Sequence, residues 1–446
     1  MPINTEHAHS TGRITETLPW MGDAANHRRQ QIMRSLDLGD LRAADDRVDA
    51  LIEHNREIHD RECINLNPAS NTMNPRAEAV LAAGLTTRAS LGHPGEKYEM
   101  GLEAIEEIEV IAAVAACRVF RAEYVEIRVG SGSLANLYAF MATCRPGDSI
   151  IVPPATIGGH VTHRAPGAAG LYGLQIHECP IDASTYTIDV AGLGALAERV
   201  RPKLITTGTS LNLSPHPVAE IKAIADEVGA FVLFDAAHAC GMIAGGMWPN
   251  PLDEGADLMT MSTYKSLGGP AGGLVFTNRA DLAERLDAIA FPGLTANFDV
   301  AKSAALAITM FDWMEFGPSY TAAMVANSIS LASELEARGL PVFRTDRGPT
   351  GTYQFALDMS TARGGHAAAL RLREANLLTC AIGLPHDEAA GLRLGTPEVT
   401  RLGMTPDDMP ALADLVVAGL GSDPAGVAAR TSALRQRFDT VNFVRS

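Results

Sequence analysis

The chain is organised around one stretch, Asp257-Leu-Met-Thr-Met-Ser-Thr-Tyr-Lys-Ser-Leu-Gly-Gly-Pro-Ala-Gly-Gly273. A short apolar run, typical of a buried strand, leads into Lys265, and glycines follow the lysine closely. A lysine that is partly desolvated at a strand end has a lowered pKa, and its amine becomes a nucleophile toward carbonyls. The alternative is a solvated lysine beside a glycine-rich turn. Three other stretches of the chain favour the first interpretation.

Similar apolar runs recur through the middle of the chain, separated by stretches with helical periodicity. They are short, are mostly bounded by Gly, Pro or Asp, and lie at residues 124–129, 149–152, 204–207, 230–234, 258–262 and 273–277. Buried strands that alternate with crossover helices, such as 219–228, predict a mostly parallel sheet covered on both faces. The predicted fold class is therefore α/β.

The sequence pattern divides the chain into three expected parts. Residues 1–60 are polar, have helical periodicity from about 26 to 60, and form an N-terminal helical arm. Residues 61–298 hold the alternating strands and form a large domain, whereas residues 299–446 form a smaller C-terminal α/β domain. Because the arm is too thin to bury its own apolar stripe, we expect it to pack on a partner subunit or on the main body.

Composition and charge exclude several classes of function. The chain has 446 residues, with 36 basic and 52 acidic side chains, and no Lys/Arg-rich run offsets the net charge of -16, which argues against nucleic-acid binding. The six cysteines lack CxxC spacing, so we expect neither a disulfide framework nor a metal site. Neither a signal peptide nor an apolar span of about 20 residues is apparent. We therefore expect a cytoplasmic protein without a membrane partner.

The first supporting stretch is Gly130-Ser-Gly-Ser-Leu-Ala-Asn136, which follows a predicted strand and begins a helix. Ser131, Gly132 and Ser133 would place hydroxyl groups and free backbone N–H groups at the positive end of that helix. A phosphate dianion is well held in such a position. The alternative is an ordinary loop in which a serine caps the helix.

The second stretch is Phe231-Val-Leu-Phe-Asp-Ala-Ala-His-Ala-Cys-Gly241, in which Asp235 ends an apolar strand. Open α/β sheets bind ligands at this end of their strands, and a buried carboxylate there needs a cation or a donor. A protonated pyridine nitrogen would meet that need, and His238 could reach a substituent of the same ring. The alternative is a helix-capping aspartate with a structural histidine.

The third stretch is Pro154-Ala-Thr-Ile-Gly-Gly-His-Val-Thr-His163, in which glycines allow a ligand to approach the backbone. His160 could stack its flat ring on a planar cofactor, although a histidine beside glycines is also a common loop residue. A phosphate cradle, a stacking histidine, an aspartate at a strand end and a lysine after a later strand together describe a site for pyridoxal 5'-phosphate (PLP).

At this point the sequence resembles the serine hydroxymethyltransferase family, which belongs to the fold-type I PLP enzymes. The resemblance runs from about residue 65 to residue 420 and is specific to four motifs. These are Ser131-Gly-Ser-Leu-Ala-Asn136, Gly158-Gly-His-Val-Thr-His163, Asp235-Ala-Ala-His-Ala-Cys-Gly241 and Gly391-Leu-Arg-Leu-Gly-Thr-Pro397. The resemblance implies a large domain with a mostly parallel sheet, a smaller C-terminal domain and a homodimer, with a tetramer as the alternative assembly.

The resemblance also implies a role for individual residues. Lys265 would be the Schiff-base lysine, Asp235 the partner of the pyridine nitrogen and His160 the stacking residue. His238 and Ser210 would donate hydrogen bonds near the phenolate oxygen of the cofactor. Arg393 would clamp the carboxylate of the substrate with two parallel hydrogen bonds, and Ser70 would meet the same carboxylate.

Departures from the family concern the loop Ala89-Ser-Leu-Gly-His-Pro-Gly-Glu-Lys-Tyr-Glu99. Leu91 occupies the position of the acid/base glutamate that the folate-dependent reaction uses, and a leucine cannot transfer a proton. Either Glu99 or His93 has taken over that role, or the proton transfers linked to tetrahydrofolate are not needed. Tyr264 also replaces the histidine that usually precedes the lysine.

These observations predict an enzyme that makes or breaks the Cα–Cβ bond of a β-hydroxy-α-amino acid, with an aldehyde as second partner. The altered loop favours a folate-independent aldolase or transaldolase, including one for α-methylserine-type substrates. The alternative is a tetrahydrofolate-dependent serine or 2-methylserine hydroxymethyltransferase. Racemisation or transamination on the same scaffold, and a cofactor-binding regulator without activity, are further alternatives.

Overall fold

The computed structural model describes residues 17–446, which divide at residue 61 into two units. The first unit contains helices α1 (Asp23–Arg34) and α2 (Leu41–Arg56), followed by a π-helical turn at Glu57–Glu62. The helical structure predicted between residues 26 and 60 is therefore confirmed as two helices. Asp40 begins α2 by accepting a hydrogen bond from the Ala43 N–H at 3.0 Å. Residues 1–16 of the expected arm lie outside the described part of the chain.

The second unit is built on a seven-stranded sheet. Its strands in chain order are β1 (Tyr124–Val129), β2 (Ser149–Val152), β3 (Gln175–Glu178), β4 (Leu204–Thr207), β5 (Phe231–Asp235), β6 (Leu258–Ser262) and β7 (Gly273–Thr277). The spatial order is β1-β7-β6-β5-β4-β2-β3. Only β7 runs antiparallel to its neighbours. The predicted mostly parallel sheet is confirmed.

Helices cover both faces of this sheet, as its sequence requires. Along β2, Ile150 and Val152 belong to one apolar core, whereas Ile151 belongs to the core on the opposite face. The helices of the second unit are α3 (Pro75–Ala79), α4 (Glu103–Phe120), α5 (Gly132–Thr143), α6 (Ala168–Leu171), α7 (Val190–Val200), α8 (Val218–Val228), α9 (Cys240–Ala244), α10 (Ala280–Ala288), α11 (Val300–Ala337), α12 (Gly364–Glu374), α13 (Pro397–Arg401), α14 (Met409–Leu420) and α15 (Ala428–Arg435). Strands with two buried faces read as continuous apolar runs, which explains why the sequence revealed them.

A second sheet follows the 38-residue helix α11. It contains β8 (Gln354–Asp358), β9 (Cys380–Leu384) and β10 (Asp387–Gly395), in the antiparallel order β8-β10-β9 with its own apolar core. Shorter paired strands are Ile64–Asn65 with Leu377–Leu378, Gly92–His93 with Glu96–Lys97, and Ile181–Asp182 with Thr187–Ile188. No helix in residues 17–446 is both long enough and apolar enough to cross a membrane.

The sheet directs the candidate residues to one edge. Strands β2, β4, β5 and β6 are parallel, and β1 has the same direction because two antiparallel pairings through β7 relate it to β6. The four stretches that the sequence marked for the cofactor therefore leave the carboxyl edge of the sheet, where open α/β sheets bind their ligands.

Candidate active site

A cavity of about 130 Å³ lies at this carboxyl edge. The residues that line it are Ser131, Gly132, Ser133, Asn136, His160, Gly208, Thr209, Ser210, Asp235, Ala237, His238, Ser262, Tyr264 and Lys265. The structure thus brings together every residue that the sequence proposed for cofactor binding. The two residues proposed for the substrate carboxylate, Arg393 and Ser70, are not part of the lining.

Lys265 lies in the turn after β6 and is only 6% exposed. Its Nζ lies 3.0 Å from Nε2 of His238, and the described residues offer it no carboxylate within ion-pair distance. Burial, reinforced by the charge of Arg393 and opposed by Asp235, lowers the pKa of the lysine to about 8. The amine therefore deprotonates far more readily than a surface lysine, which suits a nucleophile.

His238 is the neutral partner of that amine. Arginine only donates hydrogen bonds, so Nε2 of His238 accepts from Arg393 Nη1, which lies 3.4 Å away, and the same nitrogen lies 3.0 Å from Lys265 Nζ. Burial and the two nearby cations hold the pKa of His238 well below its usual value. The ring proton is consequently on Nδ1, which is buried and has no hydrogen-bond partner among the described residues. A ligand acceptor could use that donor.

Asp235 ends β5 and is held by three donors. They are Nε2 of His163, Nδ2 of Asn136 and the N–H of Ala237, each at 2.9 Å. Burial alone would raise the pKa of the carboxyl, but the hydrogen bond and charge of His163 outweigh it and keep the pKa well below its usual range. The ionised carboxylate is suited to a protonated ring nitrogen.

Sequence reasoning missed the two side chains that hold Asp235. Both His163 and Asn136 end a motif that was quoted for another residue, and Asn136 is fixed in turn by the hydroxyl of Thr260 at 2.6 Å. The signal was present as polar residues inside otherwise apolar segments, because buried polar side chains need partners.

The phosphate cradle lies where β1 leads into α5. Ser131 begins α5 and its hydroxyl accepts a hydrogen bond from the Leu134 N–H at 3.2 Å, so the capping role that the sequence left open is present. A Cβ on Gly132 would lie 2.1 Å from Oγ of Ser262, which leaves space for no side chain there. The bare backbone at the positive end of a 12-residue helix is available to an anion.

His160 is held by its own loop. Its Nδ1 lies 3.3 Å from the N–H of Thr162 and 2.9 Å from the hydroxyl of the same residue. Because the backbone N–H can only donate, Nδ1 is an acceptor. Burial, together with the charges of Lys265 and Arg393, lowers the pKa of His160, while Asp235 opposes the shift. The ring is neutral near pH 7 and has a fixed orientation, as stacking requires.

Arg393 lies next to the cavity, on β10, and is only 6% exposed. Its Nη1 donates to the backbone oxygen of Ser210 and lies 3.4 Å from His238, two lining residues. No carboxylate of the described residues forms an ion pair with it. Ser70 accepts a hydrogen bond from Asn65 Nδ2 at 3.0 Å and, among the described residues, makes no hydrogen bond to Arg393. Its assignment to the substrate carboxylate stays a prediction.

These residues fit PLP. The site offers a buried amine of low pKa, a fixed carboxylate, a histidine Nδ1–H without a partner among the described residues, and a helix N-terminus that a side chain at position 132 would block. Those four features correspond to the aldehyde, ring nitrogen, ring substituent and phosphate of the cofactor.

Comparisons with known proteins agree with this fit. The sequence model described as "Serine hydroxymethyltransferase" matches residues 41–416. The chain belongs to the serine hydroxymethyltransferase family. The predicted fold-type I class is confirmed, and this family member is a PLP-dependent enzyme of the aldolase and hydroxymethyltransferase type.

Relatives within the family have two different names. A protein named alpha-methylserine aldolase from Variovorax paradoxus is 54% identical over 430 residues, which cover 96% of this chain and 98% of the relative. Another of that name from a Ralstonia species is 55% identical over 89% of this chain and 92% of its own. A serine hydroxymethyltransferase from Methanopyrus kandleri is 37% identical, with 86% and 91% covered.

The loop that departs from the family pattern forms a small hairpin. Leu91 precedes its first strand, Gly92–His93, and donates its N–H to Oε2 of Glu99 at 3.3 Å. His93 pairs with Asp287 at 3.0 Å. None of these residues lines the cavity of its own subunit, whereas Tyr264 does. Tyr264 is 39% exposed and places a phenol group at the cavity surface.

Proposed function

We propose that this member of the family breaks, and in reverse forms, the Cα–Cβ bond of a β-hydroxy-α-amino acid of the α-methylserine type without tetrahydrofolate. The proposal depends on which carboxyl groups line the cavity. Among the described lining residues Asp235 is the only carboxylate, and His163 and Asn136 already hold it. With Leu91 in the position of the family glutamate, no carboxyl group in this subunit's cavity is free for proton transfer. Relatives at 54% and 57% identity named alpha-methylserine aldolase support the same choice.

Different residues of the cavity hold different parts of the cofactor. Ser131, Gly132 and Ser133 bind the phosphate, and His160 stacks on the ring. Asp235 keeps the ring nitrogen protonated because its own pKa is held low. Bound PLP supplies an electron sink for the pair released when the Cα–Cβ bond breaks.

Substrate binding and proton transfer fall to other side chains. Arg393, a buried cation without a carboxylate partner in residues 17–446, binds the carboxylate of the amino acid, with Ser70 as the proposed second donor. Ser210 and His238 donate to the phenolate region. Lys265 Nζ, with a pKa of about 8, accepts a proton near neutral pH and is suited to take one from the β-hydroxyl group as the aldehyde leaves.

A substrate panel tests the proposal. Purified holoenzyme is incubated with α-methylserine, serine, threonine and allo-threonine, each with and without tetrahydrofolate, and the released aldehyde is measured. We expect α-methylserine to release formaldehyde at the same rate in both conditions, and Lys265→Ala to release none. Turnover of serine that requires tetrahydrofolate, with no folate-independent cleavage of α-methylserine, would instead support the alternative.

That alternative is a tetrahydrofolate-dependent serine or 2-methylserine hydroxymethyltransferase. The family match and relatives at 35% to 38% identity named serine hydroxymethyltransferase favour it. In the family that reaction uses a proton-transferring carboxyl group, and the described lining of this subunit's cavity has no free one. The panel separates the two functions because only one of them depends on the folate.

Assembly and location are further parts of the proposal. We divide the chain into an arm (1–60), a large PLP-binding domain (61–298) and a small C-terminal domain (299–446). A homodimer is supported by Val110, Ile111 and Val114, which are exposed on α4 near an open, mostly apolar groove of about 510 Å³. Six free cysteines support a reducing compartment such as the cytoplasm. Light scattering that gives the mass of a monomer would contradict the dimer.

A further inference from the structure

Arg393 faces a thiol at the position where its substrate should bind. Cys380 on β9 lies directly opposite Arg393 on β10 in the antiparallel ladder. Its Sγ lies 3.3 Å from Nε and 3.2 Å from Nη2 of the guanidinium. These two nitrogens form the edge that makes parallel hydrogen bonds to a carboxylate. A single sulfur atom therefore occupies the preferred carboxylate-binding edge of the arginine.

The thiol is itself oriented by a third residue. Sγ of Cys380 lies 3.1 Å from Oδ1 of Asn67, which can only accept, so the thiol donates its proton there. Oδ1 of Asn67 also accepts from the N–H of Ala69 at 3.0 Å, which fixes the amide in a turn. The sulfur lone pairs are thereby left for Arg393.

Sulfur is a weak hydrogen-bond acceptor, and this weakness has a consequence for binding. Arg393 is buried, and within residues 17–446 it has no carboxylate partner. A buried guanidinium needs some acceptor to stay in one orientation, but a strong acceptor would compete with the ligand. A thiol satisfies the first need and yields readily to a carboxylate.

We propose that Cys380 is a positioning residue that holds the Nε/Nη2 edge of Arg393 until the carboxylate of the amino acid replaces the sulfur there. This inference rests on the proposed function, because it takes the substrate to be an amino acid bound through Arg393. Cys380 keeps its hydrogen bond to Asn67 throughout, so no covalent step is involved. The sulfur thus sets amino-acid affinity without touching the reacting atoms.

Two pairs of reagents test this role. The first pair is Cys380→Asp and its near-isosteric control Cys380→Asn. The second pair is 2-aminoisobutyrate and the matching amino alcohol 2-amino-2-methyl-1-propanol, which lacks the carboxylate. Dissociation constants are measured for the holoenzymes from the change in the cofactor absorption spectrum, so the readout is binding and not turnover.

The charge at position 380 should decide the result. In Cys380→Asp the new carboxylate pairs permanently with Arg393, and we expect the affinity for 2-aminoisobutyrate to fall about 100-fold or more. Cys380→Asn, a neutral acceptor, should lose less than about 10-fold. Binding of the amino alcohol should stay within about 2-fold of wild type in both variants. Cys380→Ser should raise KM for the amino acid several-fold while kcat is kept, since oxygen accepts more strongly than sulfur.

The measurements distinguish a failure of the carboxylate clamp at Arg393 from a failure of the role proposed for Cys380. Equal affinity of the wild type for the acid and the alcohol would overturn the proposed carboxylate clamp and this inference with it. If the wild type prefers the acid and Cys380→Asp keeps that preference, only the role of Cys380 is wrong. Equal loss of both ligands in Cys380→Asp and Cys380→Asn would show that the position is merely structural and would likewise overturn it.

Discussion

Two regions of the second unit bury basic side chains in opposite ways. At the cavity, Lys265 and Arg393 are each 6% exposed, and their nearest partners are a neutral histidine, a backbone oxygen and a thiol. Beside β1, Lys97 pairs with Glu109 at 2.6 Å, and Arg128 pairs with Glu126 at 2.7 Å. The side chain of Lys97 is only 4% exposed, so burial alone does not separate the two regions.

The difference lies in whether the charge has been compensated. A buried cation with a carboxylate partner supports the fold, because removing either partner leaves the other charge unpaired. A buried cation without one costs folding energy and keeps its binding capacity for a ligand. The unpaired cations of the cavity therefore cost folding energy and are available to a ligand, whereas the paired cations on and next to β1 stabilise the fold.

The largest expected effect is on catalysis at Lys265. We expect Lys265→Met to reduce aldehyde release by about 10³-fold or more, because the covalent attachment point is lost. The cofactor-free variant should unfold in urea at the same concentration as the wild type or a higher one, since an uncompensated charge has been removed. A clear loss of stability in the cofactor-free variant would break the comparison.

Arg128 and Arg393 form the next test. Arg128→Met leaves Glu126 buried and unpaired, so we expect a loss of about 3 kcal/mol in the free energy of unfolding with kcat unchanged. Arg393→Met should leave the stability of the cofactor-free protein within about 0.5 kcal/mol and weaken amino-acid binding by about 2–5 kcal/mol. Urea unfolding and steady-state kinetics measure the two effects. The same response in both variants would refute the distinction.

The pH dependence of stability provides a third test. The pKa of Lys265 is about 8 in the folded protein against 10.5 for an ordinary lysine. Between these values the unfolded chain binds more protons, so the stability of the cofactor-free protein should rise with pH, by about 3 kcal/mol in full. Urea unfolding of wild type and Lys265→Met from pH 7 to 10 isolates this group. Parallel profiles of the two proteins would contradict the lowered pKa.

The smallest expected effect concerns the compensated acid of the cavity. His163→Phe removes one of the donors that hold Asp235, and a hydrogen bond to a charged group contributes about 1.5–3 kcal/mol. We therefore expect kcat to fall about 10-fold, with KM changed much less. His163→Gln, which keeps an N–H donor, is the matched control and should recover part of the loss. An unchanged kcat in His163→Phe would exclude a role in holding Asp235.

The sequence predicted six of the seven strands of the large sheet and missed one at an edge. All six runs quoted above begin and end within one residue of the observed strands, because buried strands require apolar side chains. Strand β3 went unnoticed because Gln175–Glu178, at the edge of the sheet, has only one apolar residue, Ile176, in four positions.

The residues of the candidate site also divide into those that the sequence revealed and those that it did not. Asp235, at the end of a strand, and Lys265, in the turn after one, were found because the topology of an α/β sheet places them at one edge. Asn136 and Cys380 were not, since their roles depend on side-chain contacts with residues far away in the sequence, 99 positions for Asn136 and Asp235 and 313 for Cys380 and Asn67. Such contacts follow from packing and cannot be deduced from periodicity.

One close approach described above has a practical consequence for engineering the substrate range. A Cβ at position 132 would overlap Oγ of Ser262, so both positions share a single small volume. A library that varies position 132 alone will find it intolerant of any side chain, whereas Gly132→Ala combined with Ser262→Gly exchanges the volume between them. Directed evolution of this scaffold should therefore randomise the two codons together.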